Sequence, residues 1–401
     1  MSDDNNFIPD SGGGADSVTD VTTTGWLQRI GQSFVGALIG VLLVIGSIVL
    51  LWWNEGRAVE AITALDRGAR QVAEAKADSV DPGNDGKLIH VSGAMATKAP
   101  ARDDTFGVGG GDLLRLKRTV EMFQWTEQKS TTTHKNFGGS ETKETTYSYH
   151  KEWTDHAVDT SHFREANGHQ NPPLPVRSQI FDSSDARLGP YRIDRALLDH
   201  VSAFTALNPQ AANLPAGYRK TGDALYRGSD ESSPAIGDVR IHYAAVPAQT
   251  MSLLAAQNSG GVLAPYRGGD GYTIGLAETG FVTAAAMFKD KAHEEGVLTW
   301  ILRAVGFVLM LIGLALMTSP LSVLVGVIPL FETLVGAGAF LLALIVAVPL
   351  TLIVIAAAWI AHRPLIGVGL IAVAIGLAWG LRRLHRPPPA PTHFLPEGML
   401  R

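Results

Sequence analysis

The chain has 401 residues, 46% of them hydrophobic and only 18% charged, with a formal net charge of −5 and no cysteine. A water-soluble chain carries about 25% charged residues, so part of this one is not written for water. The acidic balance excludes a generally basic nucleic-acid binder, and the missing cysteines exclude disulfides, thiolate nucleophiles, thiolate zinc sites and iron–sulfur clusters.

Residues 1–24 hold five Asp, no Lys or Arg, and the tract SGGG. That composition predicts a disordered acidic arm. Residues 34–53 (FVGALIGVLLVIGSIVLLWW) form an uncharged run of twenty. As a helix it rises about 30 Å, the thickness of a bilayer core. Trp26 precedes it and Trp52 and Trp53 close it, as an interfacial aromatic belt would. The run is longer than the apolar part of a cleavable leader, so a retained anchor is expected, with its flank covering residues 25–53.

Residues 54–296 hold nearly all the charge and read as one soluble α+β, strand-rich domain. An amphipathic stripe of Ala58, Ile62, Leu65, Ala69 and Val72 continues the first helix to about residue 77. DPGNDG then breaks it. Strands are predicted at 87–95, at 114–122 and at 145–153, the last two as partners around a polar hairpin tip at 129–144. A short helix is expected over 193–206. Further strands are expected at 238–245 and 249–256, with 262–265 and 272–276 as another pair.

Three more apolar runs follow, at 297–318, 334–360 and 365–381, with a basic, Pro-rich tail at 382–401. In lipid such spans must be helices. The expected fold class is therefore a multi-pass α-helical membrane protein with four transmembrane helices and a large domain between the first and second. The last two spans form a hairpin, with a re-entrant form as the alternative. Lys and Arg near the span ends barely distinguish the two sides. The cluster Arg382, Arg383 and Arg386 tilts the balance to cytoplasmic termini.

No arrangement of residues announces a reaction. His150, His156, His162 and His169 fall at intervals of six, six and seven, which suits neither a metal helix nor a metal strand. His293-Glu294-Glu295 lacks the second histidine of a zinc helix. The Gly-rich run 107–111 is followed by a strand, whereas a phosphate cradle needs a helix N-terminus. Gly36 and Gly40 have the spacing that lets helices approach closely. Arg303 is the one charge inside a span. Either it snorkels to the interface or it pairs within the bundle.

Several segments together resemble the transmembrane protein 43 (LUMA) family. Asn54-Glu55-Gly56-Arg57-Ala58-Val59 at the membrane exit is similar to the family's exit signature. Collinear with it are Gly86-Lys87-Leu88-Ile89-His90, Leu116-Lys117-Arg118, Val120-Glu121-Met122-Phe123-Gln124-Trp125, Tyr147-Ser148-Tyr149, Gly168-His169-Gln170-Asn171-Pro172, Gly237-Asp238-Val239-Arg240, Leu302-Arg303-Ala304 and Arg363-Pro364-Leu365. The chain departs from the family at its acidic arm, its Gly-rich insert and its tail. The alanine-rich spans suggest a bacterial member. The resemblance implies four spans, cytoplasmic termini and a lumenal domain, which in a bacterium means an inner-membrane protein with a periplasmic domain. Animal members belong to the endoplasmic reticulum and inner nuclear membrane, where the family implies a role in organising membrane protein complexes with emerin and lamins. It carries no catalytic residues to transfer.

The expected function is a non-catalytic membrane scaffold working through its extracytoplasmic domain. The alternatives are a channel or transporter component and a membrane-bound sensor or hydrolase. No cofactor and no metal are expected. The expected partners are the lipid bilayer, other membrane proteins and further copies of the chain, with no nucleic acid. Candidate interaction residues are Asn54, Glu55, Gly56, Arg57, Trp125, Tyr147, Tyr149, Trp153 and Arg303.

Overall fold

The computed structural model describes residues 6–8, 17–210, 214–269 and 271–363. The expected span at 365–381 and the tail lie outside the described residues. Among those described, three helices are long and apolar enough to cross a membrane: α1 (Trp26–Gln71), α3 (Ala284–Leu324) and α4 (Pro329–His362). Helix α1 runs unbroken from the apolar run into the amphipathic stripe and stops at Gln71, short of the expected end, because Ala73–Glu74 joins a sheet. Outward-facing Phe34, Leu38, Leu42, Ile45 and Val49 leave an apolar surface suited to hydrocarbon.

Helices α1 and α3 cross where Gly40 meets Gly313. A methyl group on Gly313 would stand 2.8 Å from the Gly40 carbonyl oxygen, so only glycine permits this approach. Of the Gly36/Gly40 pair, Gly40 makes the close contact.

Two sheets build the domain. The strands used below are β1 (Asn6–Ile8), β2 (Ser17–Thr24), β3 (Leu88–Thr97), β4 (Leu113–Lys135), β5 (Glu141–Thr154), β6 (Ala224–Arg227), β7 (Val239–Pro247) and β8 (Thr250–Asn258). The first sheet has the order β1-β2-β5-β4-β7-β6, continued by Tyr218–Thr221. The two strands that begin after a Gly-Asp pair, β4 and β7, are antiparallel neighbours, with Val120 opposite Ile241. Inward-facing Leu116, Val120, Met122, Ile241 and Tyr243 alternate with polar residues and pack on Phe106. In the second sheet β3 pairs directly with β8 and also through Ala186–Leu188, Tyr191–Ile193 and Val262–Ala264, so the sheet closes on itself around Ile89, Leu188, Tyr191 and Leu253. Leu65 of α1 and Met287 and Phe288 of α3 pack on this closed sheet beside Leu88 and Leu254. The domain is thereby seated on the ends of two spans.

Four expectations are corrected. The acidic arm is not wholly unstructured: β2 is a full strand on β5, from Ser17↔Ser148 to Thr24↔Glu141, and β1 pairs with β2. The helix expected over 193–206 shrinks to one turn, α2 (Arg195–Leu198), because Tyr191–Ile193 and Thr205–Leu207 are drawn into sheets. Val262–Ala264 does not pair with Thr273–Ile274, which instead meets Tyr266–Arg267. The expected tip at 129–144 is mostly strand: β4 and β5 pair without a bulge from Met122↔Thr154 to Lys135↔Glu141. Threonine suits this, being β-branched and yet content with water.

Candidate functional site

Asn54, Glu55, Gly56 and Arg57 sit where α1 leaves its apolar stretch, and each has its own task. The Asn54 side chain donates to the Thr299 carbonyl at 3.1 Å. Glu55, only 1% exposed, receives the Arg303 guanidinium on both oxygens, at 2.7 and 2.8 Å. Gly56 makes room for the His362 ring of α4: a methyl group there would lie 2.6 Å from His362 Nε2. Arg57 pairs with Glu295 at 2.5 Å and donates to the Thr299 hydroxyl at 3.2 Å. Tyr272 from the domain also donates to Glu295, at 3.2 Å.

Glu295, Thr299 and Arg303 lie four residues apart on α3, so they share one face and meet 54–57 as a set. Arg303 therefore does not simply snorkel to the interface; its fork is matched to a carboxylate. The exit segment faces inward as a clamp between α1, α3, α4 and the domain, which corrects its expected place on an interaction surface.

A second clamp closes the opposite end of the bundle. Arg29, near the start of α1, pairs with Glu332 of α4 at 2.6 Å and with Glu141 at 3.1 Å, and donates to the Gly139 carbonyl at 2.6 Å. Lys135 reaches Glu332 at 3.0 Å. The Trp26 indole donates to the Val323 carbonyl, and the Gly138 amide to that of Val327. The tip of the β4–β5 hairpin is thus fastened to the ends of α1, α3 and α4 farthest from the domain's core. Part of residues 54–296 thus lies beside the far ends of these helices. Charge-assisted hydrogen bonds of this kind contribute about 1.5–3 kcal/mol each. Arg29→Ala is therefore expected to speed amide exchange across residues 130–145 about tenfold, while β7 and β8 keep their protection. Unchanged exchange at the tip would refute the clamp.

The aromatic candidates do come together, with Tyr149 buried and Trp125, Tyr147 and Trp153 half-buried. Trp125, Tyr147, Tyr149 and Trp153 line one face of β4–β5. His169 stacks on Tyr149 with ring centres 4.0 Å apart and meets Trp125 edge-on at 4.7 Å. Lys151 lies over Trp125 and Arg240 over Trp153, each at 4.5 Å, and Lys129 lies over Tyr147 at 5.5 Å. Asn171 bonds the Trp125 backbone in both directions. Tyr149 is 4% exposed, which corrects its placement on an open surface. His169 is accordingly a packing residue. His156 and His162 make local contacts with Asp155 and Asp159. Among the described residues no group of His, Cys, Asp or Glu is arranged to hold a metal.

Burial, and after it the Glu127 carboxylate that accepts its proton, push the Tyr149 hydroxyl up to about 12 against the pull of the Glu165 amide. Burial and Asp103 raise Tyr243, and burial and Asp238 raise Tyr226. Each folded hydroxyl holds its proton above the unfolded value of about 10, so the stability it contributes is complete below about pH 10 and is lost as pH rises towards about 12. Denaturation midpoints are expected to fall through that window together with late tyrosinate absorbance. A flat profile would contradict the buried hydroxyls.

Two histidines that spacing did not single out have defined settings. His90 bridges Glu74 (2.6 Å) and the Val282 carbonyl (2.9 Å), which ties β3 to the approach of α3. His200 lies in a polar cleft with Asp199, Glu278, Lys291 and Glu294. There burial, then Lys291, push His200 down, and burial, then Asp290, push Glu278 up. The i, i+4 ladder of Glu295, Thr299 and Arg303 was the signal available for the exit clamp. Nothing local marks Glu332, which is 303 residues from Arg29 in sequence.

Apolar helices locked at both ends to a strand-rich domain define an integral membrane protein whose spans and domain form one braced unit. The model of the family Transmembrane protein 43 matches residues 122–364. Mouse transmembrane protein 43 is 32% identical over 361 residues, covering 87% of this chain and 90% of the relative. The human protein is 32% identical (85% and 88% covered), and the Drosophila melanogaster homolog 29% identical (87% and 94% covered). The chain belongs to the transmembrane protein 43 family. No solved structure matches it.

Proposed function

We propose that the protein is a non-catalytic integral membrane scaffold that organises membrane proteins around its large domain, with the domain outside the cytoplasm. The observation that carries this reading is the use of charge at the span ends. Arg29, Glu55, Arg57, Glu295, Arg303 and Glu332 are all engaged in internal clamps. Groups that brace helices against a domain serve a platform better than a proton relay, which needs them facing a pathway. Crosslinking of the full chain in native membranes, read by mass spectrometry, is expected to join other membrane proteins to the domain. A chain that emerges uncrosslinked and monodisperse would refute the scaffold.

One observation favours a channel component as the second reading. The threonine-rich hairpin runs past the apolar spans to their far ends, where polar surface calls for water. Ion flux through liposomes containing the purified chain tests it, and flux lost on Arg29→Ala would favour it over the scaffold.

A further inference from the structure

We propose that the groove between α1 and the end of α4, at the membrane interface nearest the domain core, binds one phospholipid with a primary-amine headgroup, of the phosphatidylethanolamine kind. Such a site requires only that α1 and α4 cross the bilayer. It stands whether or not the chain is a scaffold.

The groove holds about 470 Å³, within the range of small-molecule sites. Towards the bilayer centre its wall is Ile48, Val49, Trp52 and Trp53. Towards the domain it is Gly56, Arg57, Glu60 and His362. From Ile48 to Glu60 the helix rises about 18 Å. A headgroup layer accounts for about 5–8 Å of that depth and hydrocarbon for the rest. The wall therefore changes from apolar to polar at the tryptophans, where a phospholipid itself does. A small water-soluble ligand would leave the apolar half of the wall uncovered.

The polar half offers one donor and two acceptors. Arg57 spends its two terminal nitrogens on Glu295, Asn54 and Thr299, yet its Nε–H is buried without a partner. A buried donor left unpaired is rare and costly, and it marks the place of a group that the chain does not supply. His362 Nδ1 lies 2.7 Å from the Ala358 carbonyl. That carbonyl can only accept, so Nδ1 carries the proton and Nε2 of the neutral ring is an acceptor. Trp52 holds this ring edge-on, with centres 5.7 Å apart. Glu60 is exposed, and among the described residues no cation pairs with it.

Charge chooses the headgroup. A phosphate oxygen suits the Arg57 donor, and an ammonium suits Glu60 and His362 Nε2 with the faces of Trp52 and Trp53 nearby. Glu295 already balances Arg57, so the charge left over at the groove is that of Glu60. It repels a headgroup of net negative charge, such as phosphatidylglycerol. A choline headgroup carries the positive charge but has no N–H to give to Glu60 or His362. A primary amine has both.

The test uses the full chain in detergent micelles, titrated with palmitoyl-oleoyl phosphatidylethanolamine, phosphatidylcholine or phosphatidylglycerol and read by native mass spectrometry. One ethanolamine lipid is expected to bind at least about tenfold more tightly than either of the others, whose acyl chains are the same. Glu60→Gln is expected to abolish that preference at an unchanged melting temperature, since Glu60 is exposed and lies outside the clamps. His362→Leu removes the second acceptor and should weaken the ethanolamine lipid alone. A phosphatidylethanolamine with a diazirine in its acyl chain is expected to label α1 at residues 48–53. Equal binding of the three lipids reports an unselective lipid coat and overturns the proposal. Stronger binding of phosphatidylglycerol, a preference that survives Glu60→Gln, or labelling elsewhere overturns it too. Displacement of the lipid by an equal concentration of free phosphoethanolamine would assign a soluble ligand and sink the lipid site. The three-lipid comparison on the unaltered chain decides even if His362→Leu fails to fold.

Discussion

Glu55→Ala is expected to destabilise the purified protein by about 3–5 kcal/mol, the usual cost of removing one partner from a buried ion pair. The guanidinium of Arg303 would remain in the helix contact with its bidentate acceptor gone, beside the ring of Trp300 at 4.9 Å. Two further variants separate lost pairing from lost packing. The exchanged pair Glu55→Arg with Arg303→Glu should recover part of the loss. Replacing both by leucine or methionine should cost far less than Glu55→Ala alone, because it strands no charge. Unfolding in detergent provides the measurement, and a double-mutant cycle gives the coupling. A loss below about 1 kcal/mol for Glu55→Ala, the range of exposed pairs, would remove the clamp from this account.

The second large effect lies in the domain core. Asp103 is fully buried, accepts from Arg118 at 2.5 Å and from the Tyr243 hydroxyl at 2.8 Å, and has a neighbour in Arg118 that is itself 4% exposed. The Arg118 guanidinium also donates to the Arg177 carbonyl at 3.1 and 2.9 Å, which fixes it in place. Asp103→Ala would leave that cation buried and the Tyr243 hydroxyl without its acceptor. The expected cost is again about 3–5 kcal/mol, a large share of a typical total of about 5–15 kcal/mol. Asp103→Asn keeps an acceptor and loses the charge, so it should fall between. Near-ultraviolet circular dichroism during denaturation measures both. If Asp103→Asn proves as harmful as Asp103→Ala, the acceptor contributes nothing and the charge alone matters.

The exit residues 54–57 were legible as important but not as to kind. Their sequence neighbours are a hydrocarbon run and an amphipathic helix, so an interfacial surface was a fair expectation. Their true partners lie about 240 residues away on α3, and only the packing of α1 on α3 at Gly40 and Gly313 brings the two faces into register. The aromatic residues of β4 and β5 behaved likewise. Alternation placed them on one face, but that residues 163–171 cover Trp125 and Tyr149 on that face is a tertiary fact.

The low charge and the position of the apolar runs determined, without any structure, that this is a membrane protein with a strand-rich domain set between its first two spans. Bilayer thickness and backbone hydrogen bonding leave apolar runs of that length one outcome, and two-residue alternation marks a half-buried strand wherever it occurs. The tertiary structure alone decided where the strands end and whom the charges meet. The Thr-rich hairpin has no apolar face to declare its length; it extends because β2 pairs with β5 and because Arg29 and Glu332 anchor its tip. Ion pairs and ladder edges are long-range, directional contacts that leave no period in the sequence. Hydrophobic burial is short-range in pattern and leaves one.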